Sequence, residues 1–134
     1  MFYKNKLTIL ILGSEKDKPH AQKIVVKLDE YGIAHETYVA SAHKTPQKVL
    51  EILERYKGNT GVVYITIAGR SNALSGFVAA NSDKPTIACP PFADKTDMLV
   101  NIHSTLQMPS DVPVLTVLDP GNAALAVKRI FDLT

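Results

Sequence analysis

The sequence predicts an α/β fold in which one parallel sheet carries helices on both faces. Two observations lead to this prediction. Short apolar runs alternate with amphipathic stretches, and small or turn-forming residues separate them. The chain has 134 residues, a length that fits one domain with one core, so we expect a single domain over residues 1–134.

Five short runs carry the strand signal. The first is mostly apolar, and the third is apolar and β-branched at positions that face both ways, which is typical of a central parallel strand. The fifth contains Pro113, which must lie at its beginning because proline cannot donate to the ladder. The predicted strands are Leu7–Leu12, Ala34–Val39, Val62–Ala68, Thr86–Ala88 and Val112–Leu118.

The stretches between the strands have helical spacing. One helix has a clear start, with Thr45 as N-cap and Pro46 at its first position, and we expect Val49, Leu50, Leu53 and Tyr56 to be its buried stripe. The other predicted helices are His20–Tyr31, Asn72–Ala80, Asp97–Gln107 and Asn122–Leu133. Together the elements predict a flavodoxin-like three-layer doubly wound sheet with strand order 2-1-3-4-5.

Composition excludes several classes of protein. A net charge of +2 with scattered lysines argues against nucleic-acid binding. The single cysteine, Cys89, excludes an internal disulfide and fits a reducing compartment, and no cysteine or histidine spacing suggests zinc. The apolar run Leu7–Leu12 is too short for a signal peptide or a membrane span. We therefore expect a cytoplasmic protein without a membrane partner.

Three predicted strands end in chemically loaded turns: Gly13–Asp17, Ser41–Pro46 and Ala68–Asn72. Open parallel sheets bind ligands at the carboxyl ends of their strands, and small residues there let backbone N–H groups approach an anion. Within these turns, Lys44 and Arg70 suit phosphate, and Asp17 offers acceptors for sugar hydroxyls. His43 is the titrating group among them. The residues thus predict a sugar-phosphate site with one acid–base candidate.

Each of these features also has a plain structural interpretation. A Gly-Ser pair after a strand is often an ordinary tight turn, and Ser41 and Thr45 can be simple caps. Cys89 is better explained as a small buried residue than as a nucleophile. The remaining candidates are expected to be structural histidines or helix starts and turns: His20, His35, His103, Asp94, Asp97 and Asp119.

These turns also carry a family resemblance. SAHKTP at Ser41–Pro46 resembles the SAHRTP signature of the PurE family, and GSEKD at Gly13–Asp17 resembles its GSxSD loop. LQMPSDVPVLTV and GNAALAVKRIF resemble its later segments, in the same order along the chain. AGRSNALSG, residues 68–76, resembles class II members, since class I usually has GGAAHLPG with a second histidine.

The resemblance implies carboxylation of 5-aminoimidazole ribonucleotide (AIR) by CO2, giving 4-carboxy-5-aminoimidazole ribonucleotide (CAIR), in de novo purine biosynthesis. It implies no biotin, ATP or metal, and a homo-oligomer, an octamer in this family. It makes His43 the proton carrier. It assigns the ribose phosphate and its surroundings to Ser14, Asp17, Ser41 and Lys44, and closure over the ring or carboxylate to Gly69, Arg70 and Ser71.

Three positions depart from the family pattern. Lys16 replaces the serine that is common in the first loop. Lys44 replaces an arginine, so it cannot contact phosphate with a bidentate fork, and Asp111 stands where glycine is usual. Two other functions remain open. One is the class I mutase, which moves a carboxyl group from N5 to C4. The other is a non-catalytic signalling receiver or nucleotide sensor. A receiver would need an aspartate at the end of its third strand, whereas this chain ends that strand in Ala68-Gly69.

Overall fold

The computed structural model describes residues 3–133. Its five strands are all parallel and lie in the order β2-β1-β3-β4-β5, which confirms the predicted fold class and strand order. The strands are β1 (Leu7–Leu12), β2 (His35–Val39), β3 (Val62–Ile67), β4 (Thr86–Ala88) and β5 (Leu115–Thr116).

Helices cover both faces of the sheet. A 3₁₀ turn, Glu15–Asp17, follows β1 and leads directly into the first helix. The helices are α1 (Lys18–Glu30), α2 (Pro46–Tyr56), α3 (Leu74–Ala80), α4 (Lys95–Asn101), α5 (His103–Leu106) and α6 (Pro120–Asp132). One core lies between the sheet and helices α1 and α6, and the other lies between the sheet and helices α2 and α3.

Strand β1 contributes to both cores because its side chains alternate between the two faces. Leu10 and Leu12 face α1 and α6, whereas Ile9 and Ile11 face α2 and α3, and all four are fully buried. Burial on both faces is typical of a central strand in a parallel sheet. This burial fixes the position of β1 and therefore the point at which the next loop leaves the sheet.

The register of β1 aligns the carboxyl ends of three strands. Leu12 is paired with Val39 of β2 and with Ile67 of β3. Just beyond, the Ala40 N–H donates to the Leu12 carbonyl at 2.8 Å and the Gly13 N–H donates to the Ile67 carbonyl at 3.0 Å. The loops after β1, β2 and β3 therefore leave the sheet side by side.

The fifth strand is much shorter than the predicted Val112–Leu118. Before it, the Val112 N–H donates to the Pro109 carbonyl at 3.3 Å and closes a turn in which Asp111 has φ = 69°. That left-handed conformation favours glycine, the residue usual at this position in the family that the chain resembles. Because Pro113 follows and has no N–H, regular pairing begins only at Leu115.

The helix predicted over Asp97–Gln107 begins earlier and is interrupted. Asp94 caps α4 by accepting from the Asp97 N–H at 2.8 Å, and Asp97 in turn accepts from the Ala93 N–H at 2.8 Å. The two carboxylates together satisfy backbone N–H groups at the start of the helix, which therefore begins at Lys95. The break between α4 and α5 lies at Ile102, where the Ser104 hydroxyl donates to the Asn101 carbonyl.

The remaining boundaries of the strands and helices differ from the predicted ones by at most two residues. In α2 the buried stripe contains Ile52, whereas Leu50, which we predicted to be buried, is half-buried. Within residues 3–133 no helix has the length and apolar character needed to cross a bilayer.

Two tyrosines allow a matched test of how a buried hydroxyl group affects the free energy of unfolding. The Tyr64 hydroxyl is fully buried and has no hydrogen-bond partner among the described residues, and burial raises the pKa of Tyr64 to about 12. The Tyr56 hydroxyl donates to the Glu36 carboxylate. In urea unfolding, Tyr64→Phe should leave the unfolding free energy unchanged or raise it by up to about 1 kcal/mol, and Tyr56→Phe should lower it by about 1 kcal/mol. A larger loss for Tyr64→Phe than for Tyr56→Phe would contradict this.

Candidate functional site

A cavity of about 740 Å³ opens at the carboxyl ends of the strands. Loops that follow β1, β2, β3 and β4 form its walls, as expected for an open parallel sheet. All the residues that the sequence nominated for the site line this one cavity: Ser14, Asp17, Ser41, His43, Lys44, Gly69, Arg70 and Ser71.

The loop after β1 places a buried carboxylate in the cavity wall. Ser14 precedes the 3₁₀ turn, and its Oγ accepts from the Lys16 N–H at 3.4 Å. Asp17 closes that turn and is only 7% exposed. Burial raises the pKa of Asp17, against the opposing effect of the Lys16 charge. A carboxylate so poorly solvated gains from a ligand that donates hydrogen bonds to it.

The loop after β2 is a turn that is braced internally. The Thr45 N–H donates to the Ser41 carbonyl at 2.9 Å, and the Lys44 N–H donates to the Ser41 hydroxyl at 3.1 Å. Thr45 occupies the N-cap position of α2, but its hydroxyl accepts from the Ser41 N–H at 2.8 Å and makes no cap bond to the helix. The Thr45 side chain therefore stabilises the loop and does not cap the helix as predicted. His43 and Lys44 lie at the exposed apex of this turn.

The loop after β3 passes very close to the loop after β4. A Cβ at Gly69 would lie 2.6 Å from the Pro91 carbonyl oxygen, so only glycine allows this approach. Ser71 has φ = 50°, a left-handed conformation that is uncommon for serine. Between them, Arg70 is exposed at the cavity.

The loop after β4 supplies a wall that the sequence analysis missed. Pro91, Phe92 and Ala93 line the cavity, together with Asp97. Hydrogen bonds from the Ala93 N–H and the Asn101 side chain, and then the charge of Arg70, hold the pKa of Asp97 below its usual range. From the sequence alone, Asp97 is explained by a helix start. The strand-end rule that selected the other three loops also applies to β4 and could have found this wall.

The charges around the cavity favour an anion. Lys16, Lys44 and Arg70 contribute three cationic side chains, against the two carboxylates of Asp17 and Asp97. Lys16 and Arg70 lie in the glycine-containing loops after β1 and β3, and Lys44 lies in the loop after β2. The lining thus has a net positive charge together with the buried carboxylate of Asp17. This combination suits a ligand that has a phosphate at one end and hydroxyl groups beside it.

The other histidines and the cysteine lie away from the cavity. His35 Nε2 is 2.7 Å from Asp29 Oδ1, and His20 Nε2 is 3.6 Å from the Cys89 sulfur. Cys89 is fully buried, and burial raises the pKa of its thiol to about 12, so it is a poor nucleophile. Among the described residues, His43 is the sole histidine that lines the cavity.

The arrangement can bind an anion, accept hydrogen bonds from hydroxyl groups and move a proton at His43. Over residues 3–133 there is no group of three or more histidine, cysteine, aspartate or glutamate side chains that could hold a metal ion.

Known proteins are similar to this chain in sequence and in fold. Residues 7–134 match the family described as AIR carboxylase. The phosphoribosylaminoimidazole carboxylase of Archaeoglobus fulgidus is 51% identical over 125 residues, which are 93% of this chain and 68% of that protein. The N5-carboxyaminoimidazole ribonucleotide mutase of Methanocaldococcus jannaschii is 44% identical over 126 residues, 92% of this chain and 78% of that protein.

Solved structures show the same similarity over nearly the whole chain as the sequence relatives do. The crystal structure of Treponema denticola PurE superposes with a TM-score of 0.89 at 45% identity, over 96% of this chain and 81% of that one. The phosphoribosylaminoimidazole carboxylase of the same organism is 46% identical over 128 residues, 95% of this chain and 80% of that protein. With a family match across nearly its whole length and relatives at this level of identity, the chain belongs to the AIR carboxylase family.

Proposed function

We propose that this chain, as one catalytic domain, carboxylates AIR with CO2 to give CAIR in purine biosynthesis. The observation that carries the proposal is the convergence of three strand-end loops on one cavity, with His43 among their cationic residues. Relatives at 46% and 51% identity bear the name phosphoribosylaminoimidazole carboxylase, which supports the same reaction.

In this proposal the nucleotide lies across the loops after β1 and β2. Ser14, Ser41 and Lys44 bind the phosphate, and the buried Asp17 carboxylate accepts hydrogen bonds from the ribose hydroxyls. Lys44 acts as a point charge, since an ammonium cannot form the paired contacts of a guanidinium. Gly69, Arg70 and Ser71 then cover the imidazole ring and the new carboxylate.

The chemistry needs a proton carrier and electrostatic stabilisation. The aminoimidazole ring is enamine-like, so C4 attacks CO2 and a carbon–carbon bond forms without a covalent bond to the protein. The intermediate still carries the C4 proton, and the neutral imidazole of His43 removes it, which restores the aromatic ring. Arg70 and nearby backbone N–H groups stabilise the carboxylate as it forms. The step as written uses no biotin, ATP or metal.

A mutase acting on the N5-carboxylated nucleotide is the second candidate, because the Methanocaldococcus jannaschii relative bears that name. Class I members usually carry a second histidine in the segment that corresponds to residues 68–76. Here that segment contains no histidine, and Arg70 and Ala73 from it line the cavity. This difference favours direct carboxylation over the mutase.

Turnover assays with both nucleotides test the reaction. The wild-type protein should convert AIR with bicarbonate-derived CO2 and decarboxylate CAIR in reverse, and His43→Asn should lower kcat by about 10²–10⁴-fold because the proton carrier is lost. Ligand binding should be retained in this variant. The matched control is His103→Asn, which changes an exposed histidine outside the cavity and should behave as wild type.

Two results would contradict the proposal. Reaction of the N5-carboxylated compound alone would assign the mutase activity instead. Undiminished turnover by His43→Asn would remove the proposed proton carrier.

Asp17→Asn should separate stability from binding. Because burial raises the pKa of the folded Asp17 carboxyl, ionisation of this group costs stability, which therefore falls as the pH rises through that pKa. At pH 7 the variant should unfold at higher urea concentration than wild type, while its KM for AIR rises about 10-fold from loss of the charged acceptor. Glu15→Gln, at an exposed carboxylate of the same turn, should change neither quantity. A destabilised Asp17→Asn would contradict this account.

We further propose that the chain forms a homo-oligomer, an octamer as the family resemblance implies, and acts in the cytoplasm. Leu99, Val100 and Leu106 on α4 and α5 support assembly, because each is more than half exposed. Light scattering on the purified protein should give a mass well above 14.6 kDa. A monomer at micromolar concentration would contradict the assembly.

A further inference from the structure

A buried asparagine holds the third wall of the cavity from behind. Asn72 is only 3% exposed, although the residues before it, Gly69–Ser71, line the cavity. Its Nδ2 donates to Ser75 Oγ and to Thr105 Oγ1, both at 2.9 Å, and its Oδ1 accepts from the Ser75 N–H at 3.1 Å. Both amide protons and the amide oxygen are therefore engaged inside the protein, not in the cavity.

The same asparagine begins a chain of hydrogen bonds that reaches the fourth wall. The Asn72 N–H donates to Ser104 Oγ at 2.8 Å, and that hydroxyl donates to the Asn101 carbonyl at 3.2 Å. The Asn101 side chain donates to Asp97 Oδ1 at 2.6 Å, and Asp97 Oδ2 accepts from the Ala93 N–H at 2.8 Å. The loops after β3 and β4 are thus joined through α4 and α5.

The loop after β3 needs such external support. Ser71, directly before Asn72, has φ = 50°, which a non-glycine residue keeps only when its surroundings impose it. Arg70 is exposed at the cavity, so burial does not fix its side chain. The buried contacts of Asn72 anchor the chain directly after both residues.

We propose that Asn72 is a positioning residue, which acts through Thr105 and Ser104 to hold Arg70 and Ser71 in the geometry that receives the nucleotide. The inference rests on the proposed function. Asn72 does not itself touch the substrate, because its side chain is buried against Ser75 and Thr105.

A matched pair of variants at Thr105 tests the role without changing the asparagine. Thr105→Val keeps the shape of the side chain but removes the acceptor, and Thr105→Ser keeps the hydroxyl. We expect Thr105→Val to raise KM for AIR about 10-fold and to speed amide hydrogen exchange over residues 69–73, because a loosened loop loses orientation. Thr105→Ser should stay within about twofold of wild type, and Asn72→Ala should exceed Thr105→Val in both effects.

The outcomes distinguish this role from simple stability and from the proposed function. A lower melting temperature for Thr105→Val with unchanged KM and exchange would overturn the positioning role and leave a purely structural one. Absence of wild-type turnover would instead overturn the proposed function. In that case faster exchange in Thr105→Val would still support the restraint on residues 69–73, and unchanged exchange would overturn it.

Discussion

The parallel register of β1 against β2 and β3 is the constraint on which the site depends. Pairing of Leu12 with Val39 and Ile67 brings Gly13, Ala40 and Ala68 to one edge, and each begins a loop of the cavity. Because β1 is packed on both faces, a shift by one residue would exchange the side chains that enter the two cores. Packing along β1 thus determines where the polar groups of the cavity meet.

The charged groups of the cavity differ in how much they cost the stability of the fold. Exposed Lys16, Lys44 and Arg70 cost the fold little, whereas Asp17 is a carboxylate removed from water. A buried acceptor of this kind is tolerated where a ligand supplies hydrogen bonds beyond the one from the Ser14 backbone. Asp17, whose burial disfavours the charged form, is for this reason a good candidate for binding the sugar of a ligand.

The fold could be predicted from the sequence because the patterns that indicate strands and helices lie within short segments of the chain. Apolar runs and helical spacing are properties of neighbouring residues, and the rule for strand ends then selected three loops of the cavity. The family resemblance supplied the reaction, which loop composition alone could not. The roles of the individual site residues remain predictions.

The differences arise where a side chain has a partner distant in the chain or serves twice. Asp97 belongs to a helix start and also to the cavity, so its structural role hid its position. The Thr45 hydroxyl bonds to Ser41 instead of capping α2. The contacts of Asn72 with residues more than thirty positions away are equally invisible to local patterns.

The close approach of Gly69 to the Pro91 carbonyl limits which residues can be mutated to change the ligands that the cavity accepts. These two walls already touch, so neither can be moved or enlarged alone, and a bulkier residue at 69 would push both loops apart. Other positions are easier to reshape, because Ala42, in the loop after β2, and Ala73, later in the loop after β3, line the cavity with single methyl groups. Redesign for a differently substituted ring would best begin at those alanines, with the glycine left untouched.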